Sequence, residues 1–256
     1  RTTTVDPHSS AYFPTSHYAW CAGNPVRNID PDGLDWYMTN DNQIEWTDYS
    51  SQKQLDNNNI VGTYLGEAYV EFIGSRNERL GTRNGKSGYI NGEGAVTATV
   101  NLYGPKNKND KHHFVGYTMS SDPEVYGAID EGLYPANYDN LGKSGSLKSH
   151  WVLNHRGNIR MLDGTINPLN RDQIDKNGEG YKTGVFIHST NQDGYAGKPV
   201  SKGCLLIAPA DFKKFNSVMN GVKSFKVQVT RKQIGINIIS SHGMKEVIVI
   251  ETLKRD

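Results

Sequence analysis

The chain has 256 residues, enough to bury a substantial core in one large or two small domains. Its 28 Lys and Arg residues nearly balance its 27 Asp and Glu residues, so a formal charge of +1 gives no global field that would favour nucleic acid or an anionic membrane surface. The 27 glycines, 14 tyrosines and mean hydropathy of −0.64 are typical of a loop-rich, β-leaning protein and exclude a helical bundle.

No stretch approaches the roughly 18 consecutive apolar residues of a membrane helix. The N-terminal residues also lack the charged, apolar and small-residue regions that follow one another in a secretory signal. We therefore predict no membrane insertion. The chain begins at Arg1, and we expect it to be a piece of a longer protein. Its two cysteines, Cys21 and Cys204, lie far apart and make a poor disulfide framework. Cys204 is the better candidate nucleophile, because a histidine precedes it at a suitable spacing.

Residues 1 to about 35 contain closely spaced turn signals. Each proline drives its predecessor to extended geometry, and Pro31-Asp32-Gly33 has the composition of a turn. The segment from Tyr18 to Gly33 has an aromatic start, an Asn24-Pro25-Val26 step and a closing Asp-Pro-Asp-Gly. In these features it resembles the end of the Rhs repeat-associated core. In that family the motif closes a large β-shell, and an unrelated toxin domain begins after it.

Residues 36–94 are predicted to form a lead-in segment or small subdomain. Its runs 43–46 and 68–73 alternate like short strands, and Asn and Gly clusters separate them. We assign no chemistry to this segment. The β-branched run 95–103, closed by Gly104-Pro105, is predicted to be the first strand of a main domain that covers residues 95–256.

The main domain is predicted to be mainly β with one or two short helices. Apolar or alternating runs predict strands at residues 149–154, 159–162, 183–188, 204–207, 225–229 and 246–253. One helix is predicted to open at Pro209, where a missing N–H costs nothing. Phe212, Phe215 and Met219 recur at helical spacing, and we interpret this stripe as core.

The strongest chemical signal is a histidine and a cysteine at two predicted strand ends. His188 ends one buried strand, and sixteen residues later Cys204 begins another after the turn Ser201-Lys202-Gly203. An imidazole within hydrogen-bond reach of a thiol can take its proton and later protonate a leaving amine. The pattern therefore predicts a cysteine nucleophile, Cys204, with His188 as its base.

Two neighbouring residues have predicted supporting roles. Gly203 lacks a Cβ, which lets the backbone approach a reacting carbonyl, and the amides around Gly203 and Cys204 are candidates for an oxyanion hole. Ser189 follows the base directly, and its carbonyl or hydroxyl is predicted to orient the imidazole. The remaining histidines show no metal-ligand spacing, so we predict neither a metal nor a cofactor.

These residues resemble the catalytic motif of the L,D-transpeptidase (YkuD-like) family, in which a His, a gap of about this length and Ser-His-Gly-Cys follow one another. Residues 117–134 are similar to the family's upstream stretch in degraded form, and the resemblance covers about residues 95–230. There are two departures: Lys202 stands where His is usual, and Leu206 stands where Arg or Asn often follows the Cys. The first changes the positive neighbour of the thiol, and the second affects substrate orientation.

The resemblance implies a β-sandwich catalytic domain that acts on peptidoglycan stem peptides as an L,D-carboxypeptidase, an L,D-transpeptidase or a D-amino-acid exchange enzyme. Together with the Rhs-like start, it implies an antibacterial toxin domain. Such a domain would be delivered with its Rhs shell by a secretion apparatus, such as a type VI system, to the periplasm of a competing bacterium. The expected partners are the stem peptide and a cognate immunity protein, with no role for nucleic acid.

Further residues are predicted to bind substrate, and two alternatives remain open. The predicted substrate-binding residues are Ser201, Lys202, Tyr117, Trp151 and His150. One alternative is a catalytically inactive module that binds cell-wall peptides, which Lys202 and Leu206 favour. The other is a cysteine amidase that acts on a protein target.

Overall fold

A computed structural model of the protein describes residues 35–139, 150–168, 170–189, 201–241 and 244–252. The described residues are mainly β-strand with three short helices, which confirms the predicted mainly-β fold. None of these helices is long and apolar enough to cross a membrane. The Rhs-like motif from Tyr18 to Gly33, with Cys21, lies outside the described residues.

The contacts divide the chain into two units, of which the first comprises residues 1–67 and 105–110. Its described part is an antiparallel sheet in the order β2-β1-β3 with one helix. The elements are β1 (Asp35–Thr39), β2 (Ile44–Thr47), α1 (Gln52–Asn57) and β3 (Gly62–Gly66). The Ser51 hydroxyl caps α1 by accepting a hydrogen bond from the backbone N–H of Gln54. Trp36, Leu55 and Leu65 are its largest buried side chains.

The second unit comprises residues 68–104 and 111–256, so the boundary follows Glu67, whereas the sequence placed it at residue 94. By their contacts, residues 68–94 group with the larger unit. The physical reason is strand pairing over a long sequence distance, since the strand that begins at Tyr69 pairs with segments centred near residues 101 and 229. Local alternation predicts such a strand but does not reveal its partners.

The larger unit contains thirteen strands and two helices within its described residues. They are β4 (Tyr69–Ser75), β5 (Gly81–Arg83), β6 (Lys86–Tyr89), β7 (Ala98–Tyr103), β8 (Lys111–Tyr117), α2 (Pro123–Tyr126), β9 (Gly132–Asp139), β10 (His150–Leu153), β11 (Ile159–Arg160), β12 (Tyr181–Lys182), β13 (Phe186–Ser189), β14 (Leu205–Ile207), α3 (Pro209–Val218), β15 (Ser224–Ser241) and β16 (Met244–Thr252).

Eight of these strands close into a barrel. Their order is β15-β4-β7-β8-β14-β13-β10-β9, and β9 pairs again with β15. β16 extends the far half of β15 as a hairpin, while β5 with β6 and β11 with β12 form two separate ladders. The pairing therefore describes a closed sheet, where the family resemblance implied a sandwich of two sheets. Closure leaves no free edge among these eight strands.

The main core comes from alternate residues of the barrel strands. Val70 and Phe72 of β4 and Val100 and Leu102 of β7 belong to it, as the period of two in a strand requires. The predicted helix is α3, which begins at Pro209. Its Phe215 and the following Met219 enter the same core, with Phe212 partly buried beside them, so the interpretation of this stripe as core is confirmed.

β14 is buried on both of its faces. Leu205 and Ile207 belong to the main core, whereas Leu206 packs in a second cluster with Tyr117 and Ala208. A strand that is covered on both sides has a continuous apolar sequence, as Leu-Leu-Ile does here. The second cluster is therefore on the opposite side of the sheet from the main core, and this is the side that concerns the candidate site.

A buried polar network joins three parts of the larger unit. Glu78 and Arg231 are each 5% exposed. The Thr118 hydroxyl donates to the Glu78 carboxylate over 2.8 Å and accepts from Arg231 Nε over 3.0 Å. Glu78 also accepts the N–H groups of Ser75 and Thr118, and Arg231 donates to the carbonyls of Ile129 and Thr118. These hydrogen bonds compensate both charged groups for the loss of contact with water.

Replacing Arg231 by Met is expected to lower the free energy of unfolding by about 3–5 kcal/mol, because Glu78 would lose the cation that compensates its buried charge. Burial already raises the pKa of Glu78. Arg76→Met is the matched control, since Arg76 pairs with Asp163 at the surface with a side chain 39% exposed. It is expected to cost at most about 1 kcal/mol. Urea unfolding measures both, and equal losses would contradict the prediction.

Candidate functional site

The parallel pairing of β13 with β14 brings the two predicted catalytic residues to neighbouring strands. Ile187 pairs with Leu205 and His188 with Leu206, so Cys204 comes directly before the paired segment. Ile187 and Leu205 point into the main core. Because side chains alternate along a strand, His188 belongs to the opposite face with its pairing partner Leu206, and Cys204 lies in the turn that leads into β14.

The imidazole of His188 is oriented by the backbone. Its Nδ1 lies 2.9 Å from the carbonyl oxygen of Ser189. A carbonyl oxygen only accepts hydrogen bonds, so Nδ1 carries the proton in this contact. This contact involves the carbonyl of Ser189, one of the two groups predicted to orient the imidazole.

The turn before Cys204 is stabilised by Ser201. The Ser201 hydroxyl donates to the carbonyl oxygen of Cys204 over 2.8 Å and accepts the N–H of Gly203 over 3.1 Å. The backbone of Ser201 also exchanges two hydrogen bonds with Ser121. The Ser201 side chain, 1% exposed, is thus occupied within the turn. The Gly203 N–H is occupied as well, so this amide is not available as an oxyanion donor in the described conformation.

Gly203 is required for two reasons. Its φ of +110° is a conformation that L side chains rarely adopt. A Cβ at this position would also lie 3.0 Å from both Nζ and Cε of Lys182. The predicted reason for this glycine was close approach of the backbone to a substrate. The described contact is instead with a lysine side chain of the same protein.

Lys182 is a site residue that the sequence analysis missed. It is 7% exposed, and its ammonium donates to the carbonyl oxygens of Lys202, over 2.6 Å, and Tyr126. Lys202, the positive neighbour chosen from the sequence, is exposed, with Nζ 5.6 Å from the centre of the Tyr126 ring. No motif marks Lys182, because it lies in a two-residue strand and only the packing of the turn buries it.

Three effects act on the Cys204 thiol. Burial raises its pKa, while the backbone N–H of Phe186 and the ammonium of Lys182 both favour the thiolate and lower it. Three effects also act on the pKa of Lys182. Burial is the largest and lowers its pKa to about 8, the Cys204 thiolate opposes that change, and Lys202 adds to it. The thiol is therefore desolvated, and its ionisation depends on these two neighbours.

Two predicted substrate-binding residues are core residues. The Tyr117 side chain is buried in the second cluster, and its hydroxyl donates to the carbonyl of Ser120 over 3.0 Å. Trp151 belongs to the main core, with its ring centre 5.0 Å from that of Phe225. Both positions were chosen for their aromatic character, which a strand interior requires just as a binding cleft does. His150 begins β10.

Leu206 lies at the position where the family often has a polar residue. It is fully buried in the second cluster, directly beside His188 in the pairing of β13 with β14. An apolar side chain here packs against the protein instead of facing a substrate. Among the described residues, no group of three His, Cys, Asp or Glu side chains comes together as a metal site would need.

A scan of the chain against protein-family models found no match, and a search of curated proteins found none. The residues and contacts described above are therefore the basis for a function.

Gly203→Ala is expected to destabilise the protein in two ways. The positive φ costs about 1–2 kcal/mol for an L-residue. Contact of the new Cβ with Lys182 adds about 1–3 kcal/mol of overpacking. Gly178→Ala is the matched control, because Gly178 also has a positive φ, +81°, but nothing lies within 4 Å of its Cβ position. The difference between the two unfolding free energies isolates the Lys182 contact, and no difference would rule it out.

Proposed function

We propose that the chain carries a toxin domain that acts on peptidoglycan stem peptides by cysteine-based acyl transfer. The observation that carries the proposal is the parallel pairing of β13 with β14, which brings the strand that contains His188 beside the strand that Cys204 directly precedes. The contact of His188 Nδ1 with the Ser189 carbonyl orients the imidazole. A base with a fixed tautomer beside a cysteine is the arrangement that acyl transfer requires.

The first step would form a thioester. His188 Nε2 accepts the Cys204 proton, and the thiolate attacks the carbonyl carbon that joins the third stem residue to a terminal D-alanine. The carbon–nitrogen bond then breaks. The leaving amine takes the proton from the imidazolium, which returns His188 to its neutral form and releases D-alanine.

The second step would consume the thioester. Attack by water releases a shortened stem, and the overall activity is that of an L,D-carboxypeptidase. Attack by an amine of another stem gives a 3,3-crosslink, and attack by a free D-amino acid gives exchange. In each case the acyl group leaves the sulfur and Cys204 is regenerated. All three outcomes use the same two residues and the same first step.

The biological setting follows from the two resemblances taken together. The motif between Tyr18 and Gly33 resembles the end of an Rhs core, and the Ser-x-Gly-Cys motif resembles an L,D-transpeptidase. We propose a secreted antibacterial effector with an L,D-transpeptidase-like catalytic domain, delivered with its Rhs shell to the periplasm of a target bacterium. Its producer would need an immunity protein against the same domain.

One alternative is a module that binds stem peptides without cleaving them. Two observations favour it. The Gly203 N–H donates a hydrogen bond to the Ser201 hydroxyl, and burial raises the pKa of the Cys204 thiol. Both would slow acyl transfer. An enzyme must move Ser201 away from that amide or use other donors, whereas a binding module needs neither change.

Muropeptide analysis after periplasmic expression tests the enzyme. The unmodified protein is expected to remove the terminal D-alanine, to exchange it or to form 3,3-crosslinks, and Cys204→Ala and His188→Ala are expected to abolish the change. Cys21→Ala is the matched control and should keep full activity, because Cys21 belongs to the Rhs-like segment.

Three other results would change the assignment. Unchanged muropeptides in every strain, with the purified protein still bound to cell walls, would favour the binding module. Unchanged muropeptides with toxicity that needs Cys204 would favour an amidase that acts on a protein. Toxicity undiminished by Cys204→Ala would exclude a cysteine nucleophile altogether.

A further inference from the structure

Lys182 is a buried cation, and the group of opposite charge that acts on it is Cys204 in its ionised form. The groups that affect its charge are Cys204 and Lys202, and no Asp or Glu is among them. A buried ammonium without an anion is costly, and folded proteins normally pair it. The mechanism proposed above uses His188 and Cys204 but gives this lysine no role.

The lysine side chain is held by specific contacts. Its Nζ donates to the backbone carbonyls of Tyr126, at the end of α2, and Lys202, in the turn that carries the nucleophile. Those bonds use two of the three ammonium hydrogens. The missing Cβ of Gly203 leaves the space that the end of the lysine chain fills. The turn and the lysine are therefore fitted to each other, one residue away from the sulfur.

The thiol has a second fixed partner on its other side. The backbone N–H of Phe186 donates to the sulfur of Cys204, and that hydrogen bond favours the anion. The titratable groups around the pair are His188 on β13 and Lys202 in the turn, with Tyr126 under Lys202. Unlike the exposed Lys202, Lys182 is buried. An ammonium in a desolvated site acts on a thiolate more strongly than it would in water.

We propose that Lys182 is the counter-ion of the Cys204 thiolate, and that the work of activation is divided between this lysine and His188. The inference rests on Cys204 being the nucleophile of the proposed function. The Cys204 proton goes to His188 Nε2, and Lys182 keeps its own proton throughout. The sulfur anion, held between the Phe186 N–H and the ammonium, is neutralised when it forms the thioester bond. The leaving amine then takes the proton from His188.

The rate of Cys204 alkylation by iodoacetamide as a function of pH tests this role without any cell-wall substrate. In a Cys21→Ala background, Lys182→Met is expected to raise the apparent pKa of Cys204 by one unit or more, because the thiolate loses its cation. At pH 7 the alkylation rate should then fall about tenfold or more. Ultraviolet absorbance of the thiolate gives the same titration independently. An unchanged profile would overturn the inference.

Two further variants separate charge from structure. Lys182→Gln keeps donors for the carbonyls of Tyr126 and Lys202 but has no charge, so the proposal predicts the same shift as for Lys182→Met. A Gln variant with the original profile would make Lys182 a structural residue only. Lys226→Met is the matched control, since Lys226 of β15 is also partly buried with a pKa lowered by burial, and its removal should leave the profile unchanged.

The test also distinguishes this inference from the proposed function. If Cys204 in the unmodified protein reacts no faster than Cys21, the proposed activated nucleophile is wrong. If Cys204 is the faster cysteine but neither Lys182 variant alters its titration, only the role of Lys182 is wrong. A Lys182→Met protein that fails to fold leaves the Gln variant to decide.

Discussion

The parallel register between β13 and β14 is the constraint on which the candidate site depends. Ile187 and Leu205 are paired and both enter the main core. Burying these two side chains fixes which face each strand presents, because a shift by one residue would move every side chain to the other face. The strand that contains His188 and the strand that Cys204 directly precedes are therefore held side by side by the packing of their apolar residues. The same core that stabilises the barrel sets the geometry of the proposed chemistry.

The turn from Ser201 to Cys204 combines features that oppose one another. Burial disfavours the Cys204 thiolate, whereas the Phe186 N–H and the Lys182 ammonium favour it. The Ser201 hydroxyl stabilises the turn but occupies the amide of Gly203. A turn that is both tight and desolvated gives strong electrostatic effects at the sulfur, because few water molecules screen them. It also limits the groups that act on the sulfur to a few, so the effect of each on the thiol can be measured.

Much of the secondary structure could be predicted from the chain alone. The runs at 95–103, 183–188 and 204–207 contain most of β7, β13 and β14, and the stripe of Phe212, Phe215 and Met219 follows a helix that begins at Pro209. Period and proline position are local signals, and they suffice for this. The closed barrel and the boundary after Glu67 could not be predicted, since they depend on pairing between distant strands. Aromatic strand residues were misassigned for a related reason: Trp151 has the character of a cleft residue but lies in the core.

The sequence by itself determined the candidate reactive residues, His188 and Cys204 with the serine and glycine before the thiol, because motif spacing is written in the order of the chain. Only the tertiary structure decided what surrounds them. It shows the Ser189 carbonyl at the imidazole, the Ser201 hydroxyl inside the turn, and Lys182, not Lys202, as the buried cation beside the sulfur. Burial and the direction of a side chain result from contacts between residues far apart in sequence. A lysine becomes an electrostatic partner of a thiol only when the fold excludes water from both.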